Sequence, residues 1–341
     1  MKKTVVFLSF LCAIYSCKKS NQTPANNIPL TPAKITVSTS ALAINNTTPQ
    51  GSPTYNLLSY GYDITGKYAD TSAVRSVVFD IAAFDANNPG RFGISLTTVG
   101  QSKVIYGQNA ENFSSQLSVG LAETTGFDDF KGSITSVFPA PDAFSKKYVY
   151  ASYSYIIQVK SVGFTGDSTL LAKYVTPQFS QDIQLLSPAD LVKKYGTHVL
   201  CDIDLGARFN VIYQGATSNT NTFSAVFAGF NYAMGNVFDL STGSLDPINK
   251  NNLATISNPK IFYNAVGGDL TKLNEFNTTD GKKIIIQDWQ NSATLANAVF
   301  IDINKNGLIP LYQFISDAAQ KAKVKAYITS YVAGNQVKLT N

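Results

Sequence analysis

Charged side chains are scarce in this chain of 341 residues: Asp, Glu, Lys and Arg together account for 14% of it. The formal net charge is +5 and there is no basic stripe, so nucleic acid is not expected as a partner. The chain has one histidine and three cysteines, and it lacks the Walker, GxGxxG, HExxH, CxxC and GxSxG motifs. These absences predict a protein that is not an enzyme and that has no cofactor and no metal site.

Aromatic residues are plentiful by contrast, with 18 tyrosines and 21 phenylalanines. Hydrophobic residues make up 44% of the chain. Many aromatic and few charged residues favour extended, pleated surfaces over charged surface helices. The composition therefore predicts a protein in which β-strands dominate.

The first residues resemble a bacterial lipoprotein signal. Lys2 and Lys3 precede an apolar run of twelve residues, Thr4–Tyr15, which is too short to span a bilayer as a helix. The run ends in Ser16-Cys17. We predict a signal peptide over residues 1–16 and acylation of Cys17; the alternative is an ordinary secretory signal that happens to contain a cysteine.

The remaining chain divides into a tether and one body. Residues 18–54 are rich in Asn, Thr, Pro and Ser, which is typical of a flexible linker. Together with acylated Cys17, this predicted tether spans residues 17–54. Residues 55–335 show no second linker and predict one folded domain. An acylated cysteine followed by a tether predicts an outer-membrane lipoprotein, with surface exposure or release left open.

Two stretches alternate like strands, over residues 146–163 and 197–212. If the second stretch is one continuous strand, it is roughly 50 Å long. Its alternation predicts one buried face. A bend is expected at Gly206. Residues 187–196 predict a short capped helix, and residues 309–332 predict a long amphipathic helix opened by Pro310. Residues 74–84 read as another strand-like run.

The single histidine, His198, shares a face of the predicted strand with Asp202 and Asp204. On a strand, His198 and Asp202 lie roughly 13 Å apart, which is too far for both to bind one ion. We therefore expect His198 to be hydrogen-bonded at a helix-to-strand junction. Cys201 lies on the apolar face and is expected to be inert packing.

Four motifs occur in an order that resembles the membrane attack complex/perforin (MACPF) family. The family signature is matched by Tyr195, Gly196, Thr197 and His198, followed by Gly206, with Ala207 where a second glycine is usual. The other three matches are GYDITG (61–66), NAVGGDL (264–270) with Gly267 and Gly268, and Trp289 followed by IPLYQFI (309–315). The resemblance covers residues 55–333.

The resemblance implies an α+β fold, a bent antiparallel four-stranded sheet flanked by two helical clusters, as in MACPF proteins and cholesterol-dependent cytolysins. Gly206, Gly267 and Gly268 would form the bend. In pore-forming members, each cluster unfurls into a membrane-spanning β-hairpin and the subunits assemble in a ring. Two gaps in the strand pattern, residues 101–146 and 214–259, have room for such clusters; the alternative is that both hold ordinary packing helices.

Both gaps contain apolar residues that could face lipid. The first has a pattern compatible with helix or strand, and the second has a helical stripe that is apolar almost throughout. The candidate membrane-inserting residues are Phe113, Leu117, Val119, Leu121, Phe223, Val226, Phe227 and Phe230.

These observations favour a lipid-anchored MACPF protein of a Gram-negative bacterium that oligomerises and inserts β-hairpins into a target membrane. Its partners would be membrane lipid, through the acyl chain and the target bilayer, and further copies of itself. One alternative is a non-lytic surface adhesion or binding module on the same fold, because fold alone does not fix function. Another is a tyrosine-rich glycan-binding lipoprotein of a different fold.

Overall fold

The computed structural model describes residues 32–39, 51–119, 130–240, 247–279 and 281–341. Cys17 and Leu121, which carry two of the predictions above, lie outside these residues.

The strands alternate with short helices along the chain. The described strands are β1 Thr36–Thr39, β2 Tyr60–Tyr62, β3 Val74–Val77, β4 Phe92–Ser95, β5 Val99–Gly107, β6 Tyr148–Phe164, β7 His198–Leu200, β8 Asp202–Thr217, β9 Ile256–Val266, β10 Asn274–Thr278, β11 Gly281–Ile285, β12 Val299–Ile303 and β13 Leu308–Pro310. The described α-helices are α1 Ile81–Asn87, α2 Ala110–Ser118, α3 Gly132–Thr135, α4 Ser168–Leu171, α5 Pro177–Leu185, α6 Pro188–Tyr195, α7 Thr222–Phe238, α8 Pro247–Leu253, α9 Gln287–Gln290 and α10 Ala318–Gly334.

The larger sheet is built on four antiparallel strands in the order β5, β6, β8, β9. Three shorter strands extend it: β4 pairs with the far end of β6, β12 pairs with β8, and β1 pairs in parallel with β9. Apolar residues on the two faces of this sheet belong to two separate core clusters. The sheet is therefore covered on both sides, and the prediction of one buried face on the 197–212 strand is wrong.

The 197–212 stretch is not one strand. It divides at Cys201 into β7 and β8, which belong to different sheets. β7 joins a second sheet of order β13-β7-β2-β3, whereas β8 continues in the larger sheet. The Cys201 amide donates to Gly307 O at 2.9 Å, and the Phe164 amide donates to Cys201 O at 2.9 Å, so both sides of the break are hydrogen-bonded.

Local cap signals determine the short helix before β7. The Ser187 hydroxyl accepts from the amide of Asp190, Pro188 lies in the first turn, and Gly196 ends the helix with a φ of 75°. This helix, α6, matches the sequence prediction for residues 187–196.

The C-terminal helix begins later than predicted. Pro310 ends β13, which pairs with β7, and a short 3₁₀ turn follows at Leu311–Phe314. The helix α10 starts at Ala318, where the Asp317 carboxylate accepts from the Gln320 amide. The strand-like run at residues 74–84 is also divided, because Asp80 caps α1 after β3 has ended.

The segment predicted as a flexible tether contains a strand. Residues Thr36–Thr39 form β1 and pair in parallel with residues 260–263 of β9. The larger sheet thus has an edge strand that comes from outside the predicted domain of residues 55–335.

Candidate functional site: the sheet bend and its two helical segments

Two of the sequence motifs meet at the start of β7. The Thr197 amide donates to Tyr62 O at 3.0 Å, and the Thr197 hydroxyl donates to the same carbonyl at 3.2 Å while accepting from the Ile64 amide. The Gly61 backbone also lies so close to Tyr195 O that a Cβ on residue 61 would be 1.8 Å from it. The YGTH and GYDITG motifs therefore form one backbone junction between β2 and β7.

His198 is a structural residue of this junction. It is buried, and its Nδ1 lies 3.0 Å from the Thr197 hydroxyl oxygen. Burial lowers the pKa of His198 to about 3, so the ring is neutral. Among the described residues, no three His, Cys, Asp or Glu side chains lie close enough together to hold a metal ion.

Tyr195 anchors the same junction to the neighbouring helix. Its hydroxyl donates to Asp182 Oδ2 at 2.5 Å, and Lys194 Nζ lies 2.5 Å from the same oxygen. Both hydrogen bonds lower the pKa of the Asp182 carboxyl, and the bond from Lys194 has the larger effect. The signature residues Tyr195 to His198 thus connect α5, α6, β2 and β7 through hydrogen bonds.

Gly206 lies where the larger sheet changes its strand pairing. Residues Thr217 to Arg208 of β8 pair with β9. Along the same edge of β8, residues Gly206 to Ile203 pair with β12 instead. The pairing of β6 with β8 is irregular at the same point, between Gln158 and Lys160. A Cβ on residue 206 would be 1.8 Å from Ile157 O, so only glycine fits this backbone approach.

The glycine pair after β9 completes the bend. Gly267 and Gly268 have φ values of 67° and 64°, and a Cβ on Gly267 would be 2.2 Å from Gly206 O. The buried Trp289 donates from its Nε1 to Gly267 O at 3.0 Å. The structure therefore brings the predicted hinge residues together with the aromatic residue of the closing motif.

Two helical segments connect neighbouring strands at one end of the sheet. We call residues 108–147 the first segment; it joins β5 to β6 and contains α2 and α3. We call residues 218–255 the second segment; it joins β8 to β9 and contains α7 and α8. These bounds correct the predicted gaps of 101–146 and 214–259, because the strands extend further into both gaps than the sequence indicated.

The first segment covers one face of the sheet with a short helix. Phe113 and Leu117 are buried, and the Phe113 ring packs against Tyr150 of β6 with ring centroids 5.9 Å apart. Val119 follows the end of α2 and is 64% exposed. Further along, the Ser133 hydroxyl accepts from the Tyr68 amide at 2.9 Å, which fastens the segment to the chain after GYDITG.

The second segment is larger and more apolar. Val226 and Phe230 of α7 are fully buried, whereas Phe223 is 48% exposed. Phe227 and Phe230 pack against the Tyr106 ring of β5 with centroids 5.5 and 5.9 Å away. β11 of the β10–β11 hairpin also contacts α7.

The two segments lie on opposite faces of the sheet. Gly107 of β5 faces Phe113 of the first segment, whereas the adjacent Tyr106 faces α7 of the second. Since side chains alternate along a strand, neighbouring residues point to opposite faces. Sequence reasoning did not find this arrangement, because it depends on the pairing register of β5 with β6.

A family model described as MAC/Perforin domain matches residues 52–340. The chain therefore belongs to the MACPF family, whose fold is a non-enzymatic one associated with pore formation and binding. No curated protein matches the chain by sequence.

Many solved structures are similar to it, and two bacterial proteins are among them. GNIP1Aa from Chromobacterium piscinae has 16% identity and a TM-score of 0.62, and the match covers 83% of this chain and 57% of that one. A MAC/Perforin-domain protein from Bacteroides thetaiotaomicron has 15% identity and a TM-score of 0.64, with coverage of 84% and 63%. The chain thus matches less than two thirds of each structure. The likeness is one of fold, and it confirms the predicted α+β MACPF architecture.

Proposed function

We propose that the chain forms oligomeric pores by converting the first and second segments into β-hairpins that enter a target membrane. The observation that carries this proposal is topological. β5 with β6, and β8 with β9, are already antiparallel neighbours, and each segment is the connection between the two strands of one pair. Extending both pairs into the segments would keep the pairings of β5 with β6 and of β8 with β9, and would require the bridge between Ser145 and Thr340 to open.

The lengths of the segments support the proposal. A membrane-spanning strand needs ~9–11 residues, and each segment has about 40 residues, which is enough for two such strands and a turn. Unpaired backbone groups are costly in lipid, so hairpins of neighbouring copies would have to pair with one another. No helix in the described residues is long and apolar enough to cross a bilayer.

The test is dye release from liposomes by purified, unacylated protein. A Tyr68→Cys, Ser133→Cys double variant has cysteines at two positions in contact, since Ser133 Oγ lies 2.9 Å from the backbone N of Tyr68, and a disulfide between them should hold the first segment in place. We expect no release when this variant is oxidised and recovered release after reduction. The two single variants under both conditions are the matched controls.

The second segment needs its own lock. Tyr106 and Phe223 have ring centroids 6.0 Å apart, so cysteines at both positions can be joined by a short bismaleimide. We expect the cross-linked protein to release no dye. Release that persists with both segments locked would refute hairpin conversion, and absence of release by the unlocked protein from every lipid tested would favour the adhesion or binding module.

Acylation of Cys17, and with it location in the outer membrane, is a separate part of the proposal. Incorporation of labelled palmitate by cells that express the full chain should be lost in Cys17→Ser and retained in Cys201→Ser, since Cys201 is buried. Equal labelling of Cys17→Ser and the unaltered chain would reject the anchor without affecting the pore proposal.

A further inference from the structure

A cavity of about 50 Å³ lies between the first segment and the sheet, and its lining is more apolar than polar, with Ile105, Phe113 and Leu117 among the apolar side chains. Its walls include Tyr68, Lys103, Ser133, Ser152, Arg208 and Asp302. One water needs about 10–15 Å³ of such space, so three or four waters, or one small tetrahedral ion, would fill the cavity.

Arg208 is the unusual member of this lining. It is 8% exposed, and its Nη1 and Nη2 donate to the backbone carbonyls of Ile301 and Ala69 at 2.7 and 2.8 Å. Its Nε is buried and has no hydrogen-bond partner among the described residues. No carboxylate in the described part of the chain lies within 4.0 Å of the guanidinium, so a buried positive charge lacks an ion pair. Such a charge is costly unless an anion compensates it.

The other polar side chains of the lining include Lys103, three serines, Asn210 and Asp302, and Asn210 Oδ1 accepts from the Ser154 hydroxyl at 2.7 Å. Lys103 Nζ lies 5.6 Å from the centre of the Tyr68 ring, and the Ser133 hydroxyl, which accepts from the Tyr68 amide, keeps its proton for another partner. The single carboxylate, Asp302, accepts from the Tyr68 hydroxyl at 2.6 Å and from the Ile303 amide at 3.0 Å. With Arg208 and Lys103 positive and Asp302 negative, the cavity has a net charge of one positive unit.

We propose that this cavity binds one tetrahedral oxyanion of the phosphate or sulfate class between Arg208 and Lys103. Guanidinium and ammonium groups are the usual protein partners of phosphate oxygens, and hydroxyls such as Ser133 supply further donors. The ion would link β5, β8 and the first segment. Free phosphate and the phosphate of a lipid headgroup share this chemistry.

The test is calorimetric titration of the whole chain with inorganic phosphate, at an ionic strength held constant with chloride. We expect saturable binding with one ion per chain, and binding at least tenfold weaker for Lys103→Gln. Lys272→Gln is the matched control, because Lys272 is an exposed lysine on the 3₁₀ turn before β10, outside the cavity lining, and should bind phosphate as the unaltered chain does. Absence of saturable binding, or equal binding by the Lys103→Gln and Lys272→Gln variants, would overturn the proposal.

A second arm identifies the source of the oxyanion. Phosphate-loaded protein is mixed with vesicles of phosphatidic acid in phosphatidylcholine, and bound phosphate is measured. Loss of bound phosphate to vesicles that contain phosphatidic acid, with none to vesicles of phosphatidylcholine alone, would assign the site to a lipid headgroup, and retention on both would assign it to the free ion. Equal loss to both kinds of vesicle would contradict an exchange of the ion for the phosphatidic acid headgroup.

Bound phosphate has one consequence that rests on the proposed function. Because Ser133 belongs to the first segment, an ion in the cavity would stabilise that segment on the sheet and slow dye release. The calorimetric result stands without any release, so failure of the pore proposal and failure of the oxyanion site are distinguishable.

Discussion

Gly206 lies at the point where the pairing partner of β8 changes from β9 to β12. Its Cα hydrogens face Ile157 O, and an added methyl group would be only 1.8 Å from that oxygen. β6 and β8 must therefore separate if any other residue occupies this position.

We predict that Gly206→Ala lowers the free energy of unfolding by about 1–3 kcal/mol, as overpacking of a tight interior does. Gly93→Ala is the matched control, since it lies in the same sheet and a Cβ there meets nothing within 4 Å. Urea unfolding of both variants is the measurement. Equal stability of the two variants would contradict the close approach at Gly206.

His198 carries a second prediction at this scale, which concerns pH. Its pKa is lowered by burial to about 3 in the folded protein, against about 6.5 for a free imidazole. Below pH 6.5 the unfolded chain therefore binds a proton that the folded chain does not, and the stability contributed by neutral His198 falls as the pH falls.

Relative to His198→Gln, the unaltered chain should lose about 2 kcal/mol of unfolding free energy between pH 7 and pH 5. Urea unfolding at both pH values measures this difference, and comparison with the variant cancels the contributions of all other groups. Parallel pH profiles would show that the ring is protonated in the folded state.

At the scale of elements, the two segments differ in how firmly they are held. α2 has nine residues and lines the cavity through Phe113 and Leu117, and exposed Val119 follows its end. α7 has 17 residues, ten of them buried, and contacts both the sheet and β11 of the β10–β11 hairpin. Each fully buried large apolar side chain contributes roughly 1.5–3 kcal/mol, so release of α7 requires more free energy.

We therefore predict that the first segment leaves the sheet before the second. Environment-sensitive dyes attached to Val119→Cys and to Phe223→Cys report on each segment, and both positions are exposed, so labelling should not disturb the fold. After mixing with liposomes, the dye at residue 119 should change its emission first. An earlier change at residue 223 would contradict this order.

Local signals predicted some elements well. Ser187, Pro188 and Gly196 delimit α6 because caps act through neighbouring residues alone. The break at Cys201 could not be predicted, since the alternation of side chains continues across it. That break arises from distant partners, with Leu200 opposite Leu308 and Asp202 opposite Gly163. The start of α10 was predicted too early because Pro310 belongs to a strand, although Asp317 was a visible capping signal.

The candidate site was predicted only in part. The motif residues and the predicted hinge glycines were identified from the sequence, and the structure shows the contacts among them. It did not indicate that the segments lie on opposite faces or that Arg208 lines a cavity, because both depend on register and on side chains far apart in the chain. The predictions for Cys17 and Leu121 remain predictions.

At the scale of the whole molecule, β1 covers part of one edge of the larger sheet. It is a four-residue strand, mostly exposed, and within the described part of the chain it pairs with residues 260–263 of β9. An uncovered strand edge is a template for pairing with another chain. β1 therefore limits access of a second copy to β9.

We predict that replacing residues 36–39 by a Gly-Ser sequence increases self-association and shortens the delay before dye release. Light scattering after size-exclusion chromatography measures the first effect, and liposome assays measure the second. The same replacement at residues 32–35, which precede the strand, is the control. A monomeric variant with an unchanged delay would show that β1 does not restrict assembly.

The conversion of both segments into strands is the central claim, and cryo-electron microscopy of the protein on liposomes that it has permeabilised tests it most directly. The account predicts a ring in which β5, β6, β8 and β9 continue without interruption into residues 108–147 and 218–255. Rings or monomers on leaking liposomes that keep α2 and α7 folded against the sheet would contradict it.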